Sequence, residues 1–194
     1  MARTTITLIC DRCGCEFQRT PSEARKSRNG SYCSKFCSHY GSGGKFVVPD
    51  LDEAWGNWFA GLIDGEGCFH FEHRQSPGTV FIFSLQIALR DDDLAILEEI
   101  QRNLGFGSIY RYPASSGYGR NANPKAVYKT TSMPQAEVIV EIFKRFPLRA
   151  KKSRDLIVWT EGLQEALKGP GRDVEHLIFL HEHLLKTRRY GEFD

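Results

Sequence analysis

Two groups of residues in this chain of 194 carry side chains able to do chemistry. The first is acidic. Asp64 and Glu66 stand in the run Asp64-Gly65-Glu66-Gly67, directly after a helix-compatible segment and directly before an alternating strand. Glycine suits the left-handed conformation that closes a helix. Glu66, between two glycines, is therefore expected at the lip of whatever surface that helix end faces, with Asp64 further back on the helix. The second group is sulfur. Five of the six cysteines lie between positions 10 and 37, as Cys10-x2-Cys13 and, after nineteen residues, Cys33-x3-Cys37. Pairs spaced this way can place four thiolates around one tetrahedral Zn²⁺. Cys15 is the spare, and His39 is an alternate fourth ligand. A closed four-cysteine site has no open position for catalysis. Its task would be to fold a head too small for a core of its own. Disulfides are the competing reading, and they fit poorly with an intracellular chain.

The acids are carried by Trp55–Asp64. At about 100° per residue, Gly56, Asn57, Ala60, Gly61 and Asp64 share one face, and all are small. Trp55, Trp58, Phe59, Leu62 and Ile63 cover most of the rest. The large stripe is expected in the domain's own core. The small stripe would let a second helix approach closely, because axis separation depends on the side chains at the contact.

On these residues a resemblance becomes visible. Phe59-Ala60-Gly61-Leu62-Ile63-Asp64-Gly65-Glu66-Gly67 resembles the signature of the LAGLIDADG homing endonucleases at all nine positions. Leu89-Arg90-Asp91-Asp92, Leu104-Gly105-x-Gly107-Ser108-Ile109 and Phe146-Pro147-Leu148-x-x-Lys151-Lys152 also look like stretches of that family. The resemblance extends over residues 52–165, and no second motif copy is present.

The elements around the motif agree with it. In Phe69–Arg74, Phe69 and Phe71 point one way, and His70, Glu72 and Arg74 the other. Val80–Arg90 puts Phe81, Phe83, Leu85, Ile87 and Leu89 on one face, and Ser84, Gln86, Ala88 and Arg90 on the opposite one. One polar face argues for an antiparallel pair open to solvent or a ligand. Asp91-Asp92-Asp93 begins a helix, acids at its positive end, and Gly105 stops it. Ser108–Tyr112 and Ala126–Thr131 are two further strands, joined by a loop over 113–124. Ser132-x-x-Gln135 reads as a capping box, and Pro147 breaks the helix it opens. A third helix starts near Ala150. Gly169-Pro170-Gly171 ends it, and a last amphipathic helix carries Leu177, Leu184 and Leu185. His176, His181 and His183 on it read as surface. The predicted fold class is α+β: the αββαββα plan with a saddle-shaped antiparallel sheet, plus a small zinc-binding module. The predicted boundaries are 1–46 for that module with its linker, 47–170 for the endonuclease domain and 171–194 for the C-terminal helix.

Charge is uneven. Residues 1–46 hold eight Lys/Arg against three acids, a net of +5, which leaves 18 against 21, or −3, for the remainder. A basic head suggests an anionic partner. The sequence shows no apolar run long enough for a membrane span and no secretory core at its N-terminus, so the expected location is intracellular.

The resemblance implies a sequence-specific double-stranded DNA endonuclease that hydrolyses phosphodiesters as a homodimer paired through the motif helix. It implies Mg²⁺ (or Mn²⁺) held by Glu66, with Asp64 in support. Hard Mg²⁺ prefers oxygen ligands and keeps several waters, so one or two carboxylates are enough. Lys151 and Lys152 match the region where the family carries a basic residue near the scissile phosphate. Gln86 is a candidate to hold a water or a base. His70, Glu72, Arg74, Ser84, Gln86 and Arg90, together with Tyr110, Tyr112 and Lys129, are the expected DNA contacts. The alternative is a derived DNA- or RNA-binding regulator or splicing cofactor (maturase) that kept the fold and lost cleavage.

Overall fold

A computed structural model describes residues 4–11, 16–26, 31–33, 47–75, 79–117, 120–130 and 132–188. Cys13, Cys15, Cys37 and His39 lie outside the described residues. The chain divides into two compact units, Met1–Phe46 with Gly169–Gly171, and Val47–Lys168 with Arg172–Asp194.

In the first unit, β1 (Ile6–Ile9) pairs antiparallel with β2 (Glu16–Arg19), Ile6 opposite Arg19 and Ile9 opposite Glu16. Thr20 opens α1 (Pro21–Lys26), and Glu23 reaches back to accept from the Thr20 N–H at 3.0 Å and its hydroxyl at 2.7 Å. The carboxylate thus supplies one half of a capping box, taking the Thr20 N–H that would otherwise be free. Asp11 and Ser31 are tied twice: the Asp11 N–H donates to the Ser31 carbonyl at 2.8 Å and the Ser31 N–H to Asp11 Oδ2 at 2.6 Å. Cys10, only 1% exposed, packs with Tyr32, and Phe17 and Cys33 lie against them.

The second unit follows the predicted plan. Asp52 caps α2 (Glu53–Glu66) by accepting from the Trp55 N–H at 3.1 Å. β3 (Gly67–Arg74) and β4 (Val80–Arg90) follow, then a short 3₁₀ turn and α3 (Leu94–Leu104). Next come β5 (Ser108–Tyr112), β6 (Ser115–Gly117), β7 (Arg120–Ala122) and β8 (Lys125–Lys129). α4 (Met133–Arg145), α5 (Lys152–Leu167) and α6 (Val174–Thr187) complete the unit. The main sheet is antiparallel with strand order β3-β4-β8-β5. Helices cover one face, where Phe69, Phe83, Leu85, Ile87 and Tyr128 meet Phe59, Ile63 and Trp159. Phe59 stacks on Phe143 with ring centroids 5.7 Å apart, and Phe69 lies 5.4 Å from Trp159. Among the described residues no helix is long and apolar enough to cross a membrane.

Local expectations change in five places. The segment expected as a plain loop contains the β6–β7 hairpin. Ser132 takes the N-cap position of α4, but its hydroxyl makes no cap bond and is buried without a partner. His181 is half-buried rather than a surface residue, 5.5 Å from Phe71 and 6.0 Å from His73 between ring centroids. The left-handed helix closure expected around Glu66 does not form: α2 runs through Glu66, and Gly67 leaves it at φ −72° and ψ 150°. Gly67 is needed for space instead, since a Cβ there would lie 2.6 Å from the Ile63 side chain and 2.7 Å from its carbonyl oxygen.

The fifth change concerns the small stripe. Gly56 and Ala60 are buried inside the unit, because the Phe146 ring fills the space a Gly56 Cβ would need, at 2.3 Å. The outward face is Ala54, Asn57, Trp58, Gly61 and Gly65, with Trp58 41% exposed. The stripe is rotated because the ring of Phe146, at the end of α4, seats into the helix at Gly56.

Gly56→Val should therefore lower unfolding free energy by about 1–3 kcal/mol through overpacking. Gly61→Ala, with nothing within 4 Å of the added Cβ in the protomer, should hold or raise the unfolding free energy of the single chain by up to about 1 kcal/mol through helix propensity. Urea unfolding of the two variants checks the contrast.

Candidate active site

Strand register builds the site. Cys68 faces Gln86, Gln86 faces Lys129, and Lys129 faces Ser108. Alternation puts these four on the side of the sheet opposite the helices. They form one row across all four strands, beginning two residues after Glu66. Glu66 is exposed, and no hydrogen bond or ion pair among the described residues uses its carboxylate.

Asp64 is differently placed. Its Oδ2 accepts from the Arg149 N–H at 2.8 Å, while Oδ1 is buried without a partner. That bond ties the end of α2 to the segment between α4 and α5. Lys151 caps α5 and is exposed, and Lys152 is its first residue. With Arg149 and Arg154, Lys151 borders a concavity of about 430 Å³ at the start of α5. Lys129, read from sequence only as a DNA contact, is the lysine that register sets beside Gln86. Nothing in the sequence signalled this, because it depends on which strand β4 pairs with.

All nine expected contact residues lie on the side of the sheet away from the helices, though one of them, Ser84, is buried there. His70, Glu72 and Arg74 alternate with buried Phe69 and Phe71 along β3. Arg74 Nε donates to Glu72 Oε1 at 2.5 Å, and His70 Nε2 lies 3.3 Å from Glu72 Oε2. The Arg74 hydrogen bond is the chief cause holding the Glu72 carboxyl below the ordinary carboxylate range, with His70 adding to it and desolvation opposing. Ser84 is 1% exposed and takes a 3.2 Å hydrogen bond from Gln86 Nε2, so it steadies Gln86 rather than facing solvent. Arg90 is paired with Asp92 through Nε at 3.0 Å and Nη2 at 2.6 Å. Arg111 is paired with Asp91 in the same two-bonded manner, at 2.8 and 2.5 Å. Two of the three acids at the head of α3, Asp91 and Asp92, are thus engaged by arginines.

Tyr110 and Tyr112, 44% and 48% exposed, border a concavity of about 410 Å³ with Gln86, Lys129, Ile82 and Val127. Ile82, Val127 and Lys125 were missed in the sequence. Lys125 faces Arg90 and Tyr112, its Nζ 5.5 Å from the Tyr112 ring. Val127 and Lys125 are revealed only by the pairing of β8 with both neighbours, whereas Ile82 shares the face of Ser84 and Gln86 by alternation along β4.

Among the described residues no three His, Cys, Asp or Glu side chains gather closely enough to hold a metal. A single disengaged carboxylate fits a cation that keeps most of its water, such as Mg²⁺, and does not fit an all-protein cage.

Comparison with known proteins decides the family. The family profile described as LAGLIDADG endonuclease matches residues 59–163, more than half of the chain.

The chain belongs to the LAGLIDADG endonuclease family.

A curated relative, the probable intron-encoded endonuclease Cox1-I1b of Schizosaccharomyces pombe (strain 972 / ATCC 24843), is 30% identical over 100 residues, 50% of this chain. The chain spans about a quarter (24%) of that relative's length. The archaeal intron-encoded homing endonuclease I-Vdi141I, solved with DNA, shares 19% identity and a TM-score of 0.58 over 74% of this chain and 91% of its own. The homing endonuclease I-TnaI shares 22% identity and a TM-score of 0.55 over 71% of this chain and 96% of its own. These likenesses establish the fold. The LAGLIDADG match runs from α2 into α5; the first unit and α6 lie outside it.

The Glu72–Arg74 pair gives a pH prediction. A carboxyl whose folded pKa is depressed contributes stability above its unfolded pKa and loses it as pH falls through the folded value. Arg74→Gln should raise the Glu72 pKa toward the ordinary range and remove that acid-side contribution. Carbon-13 NMR titration of the Glu72 carboxyl in both proteins measures it.

Proposed function

We propose that this chain is a metal-dependent, sequence-specific endonuclease for double-stranded DNA that acts as a homodimer. One observation carries the reading most directly. The carboxylate of Glu66 is exposed and disengaged, at the corner where the motif helix meets the row of Cys68, Gln86 and Lys129. Glu66 would hold Mg²⁺ or Mn²⁺, which when bound supplies an activated water and charge relief at the phosphate. Gln86, steadied by Ser84, orients a water or a base edge. Lys129 offsets charge on the phosphate. Lys151 and Lys152 hold the backbone at the start of α5. Asp64 supports the site by fixing the segment that carries them.

The open face supplies the reading surface. Arg74, Arg90 and Lys125 anchor phosphates, while His70, Glu72, Tyr110 and Tyr112 meet base edges. Strands in the major groove can discriminate base pairs through such edges. A duplex has two strands to cut, and one protomer offers one Glu66. The outward face of α2, with Gly61, Gly65, Ala54 and Asn57, suits close packing against the same helix of a second copy. That pairing would set two Glu66 carboxylates side by side.

The first unit is proposed as a structural zinc module. Buried Cys10 lies in one small cluster with Cys33, and the doubled Asp11–Ser31 bonds hold the two cysteine-bearing segments together. Thiolates are suitable Zn²⁺ ligands, and Cys13 and Cys37 would complete the set. The +5 charge of residues 1–46 would add DNA contact of its own.

Selection of cleaved sequences from a random duplex library tests activity and specificity together. Cleavage in Mg²⁺ is expected, with Glu66→Gln abolishing it while the dimer, followed by sedimentation, still binds the selected site. Tight binding with no nicking in Mg²⁺ or Mn²⁺ would instead favour a regulator or maturase. For the first unit, elemental analysis should find one zinc per chain. Cys10→Ser should lose the metal and unfold residues 1–46, leaving the second unit's melting transition in place.

A further inference from the structure

α6 lies beyond the family match, and its purpose is not supplied by the endonuclease plan. It buries Leu177, Leu180 and Leu184 against the unit, and Arg188 is its C-cap. That arginine reaches three places at once. Its Nε donates to Asp155 Oδ2 on α5 at 3.0 Å. Its Nη2 donates to the Phe69 carbonyl on β3 at 2.6 Å, and its Nη1 lies 4.0 Å from Cys68 Sγ.

We infer that Arg188 is a positioning residue for Glu66: it fixes the first residues of β3 and so holds the metal-binding carboxylate in place. The inference rests on the endonuclease reading of Glu66. β3 is an outer strand, bonded to β4 alone, and outer strands leave backbone groups without a strand partner. Here Arg188 takes the Phe69 carbonyl, which faces the free edge, and Trp159 Nε1 adds a donor to the next carbonyl, that of His70, at 3.0 Å. On the helix side, the Ile63 carbonyl accepts from the Gly67 N–H. Glu66 thus sits between the Ile63 and Phe69 carbonyls, three residues from each.

Asp155 makes the anchor rigid. It is 4% exposed, and a buried carboxylate left without its cation is costly. It therefore holds the guanidinium in one orientation. The planar fork of arginine serves carboxylate and carbonyl together, whereas lysine supplies a point charge without that geometry. Arg188→Lys keeps the charge beside Asp155 and loses the bridge.

The experiment is Mn²⁺ titration of the full chain by electron paramagnetic resonance, with Glu66→Gln as the reference for a lost site. Hydrogen exchange of a peptide covering 64–72 and a melting curve are recorded on each protein. Arg188→Lys is expected to weaken Mn²⁺ binding about tenfold, the scale seen for partners that orient metal ligands, and to speed exchange at 68–70. A merely structural role would lower the melting temperature without moving the Mn²⁺ midpoint, and would overturn the inference. If Arg188→Lys fails to fold, the pair Asp155→Asn with Arg188→Gln, which leaves no buried charge unpaired, carries the same comparison. Wild-type Mn²⁺ affinity in these variants, with Glu66→Gln weakened, refutes the role of Arg188 alone. Wild-type affinity in Glu66→Gln refutes the metal assignment at Glu66, and this inference with it.

Discussion

Glu66 ends a helix and Gly67 begins a strand, with no residue between them. That junction is the constraint on which the structure turns. It requires a residue without a Cβ at position 67, because the Ile63 side chain and carbonyl occupy the space. It also sets the helix and the sheet at one corner, so that the motif acid and the first row of the open face share an end. A loop at this point would let the carboxylate swing. The direct transition makes its position a property of two packed elements.

The two carboxylates of the motif then divide their work by environment. Asp64 spends one oxygen on a backbone N–H and buries the other, which fixes it to the protein. Glu66 is left exposed and uncommitted. Four other acids are engaged: Asp91 by Arg111, Asp92 by Arg90, Glu72 by Arg74, Asp155 by Arg188. The first three are open to solvent and add little stability, unlike the buried Asp155 pair. On the open face, the Glu72–Arg74 and Asp92–Arg90 pairs act on charge distribution, since they neutralise acids that would otherwise repel a polyanion. An acidic second unit can in this way present Arg74, Lys125 and Lys129 on one face.

Much of this was legible because it depends on local periodicity. The face assignments of β3 and β4 follow from alternation, and the bounds of β4 and β5 emerge at the predicted residues. The nine-position motif identified the family. What stayed hidden depends on contacts between distant segments. Lys129 joins Gln86 only through the pairing of β8 with β4. Gly56 turns inward only because Phe146, ninety positions later in the chain, seats its ring there. The expected left-handed turn failed for the same reason: glycine at 67 answers a lack of space, and its sequence signature is identical to that of a glycine chosen for positive φ.

A helix with glycine on two sides carries a further consequence. Gly56 admits a ring from the same chain, and Gly61 has empty space around it. The inner gap lets α2 seat deeply against the end of α4, which brings the 147–151 segment within reach of Asp64. The outer gap is meaningful only if something approaches it, because an exposed mid-helix glycine costs about 1 kcal/mol relative to alanine. The same argument applies to Trp58, a large ring held 41% exposed beside that gap. Small backbone-baring positions flanked by an exposed indole form a surface shaped for close contact rather than for water. An interface built there would draw its rigidity from the inner packing at Gly56, so the two faces of one helix join the protomer's stability to its assembly.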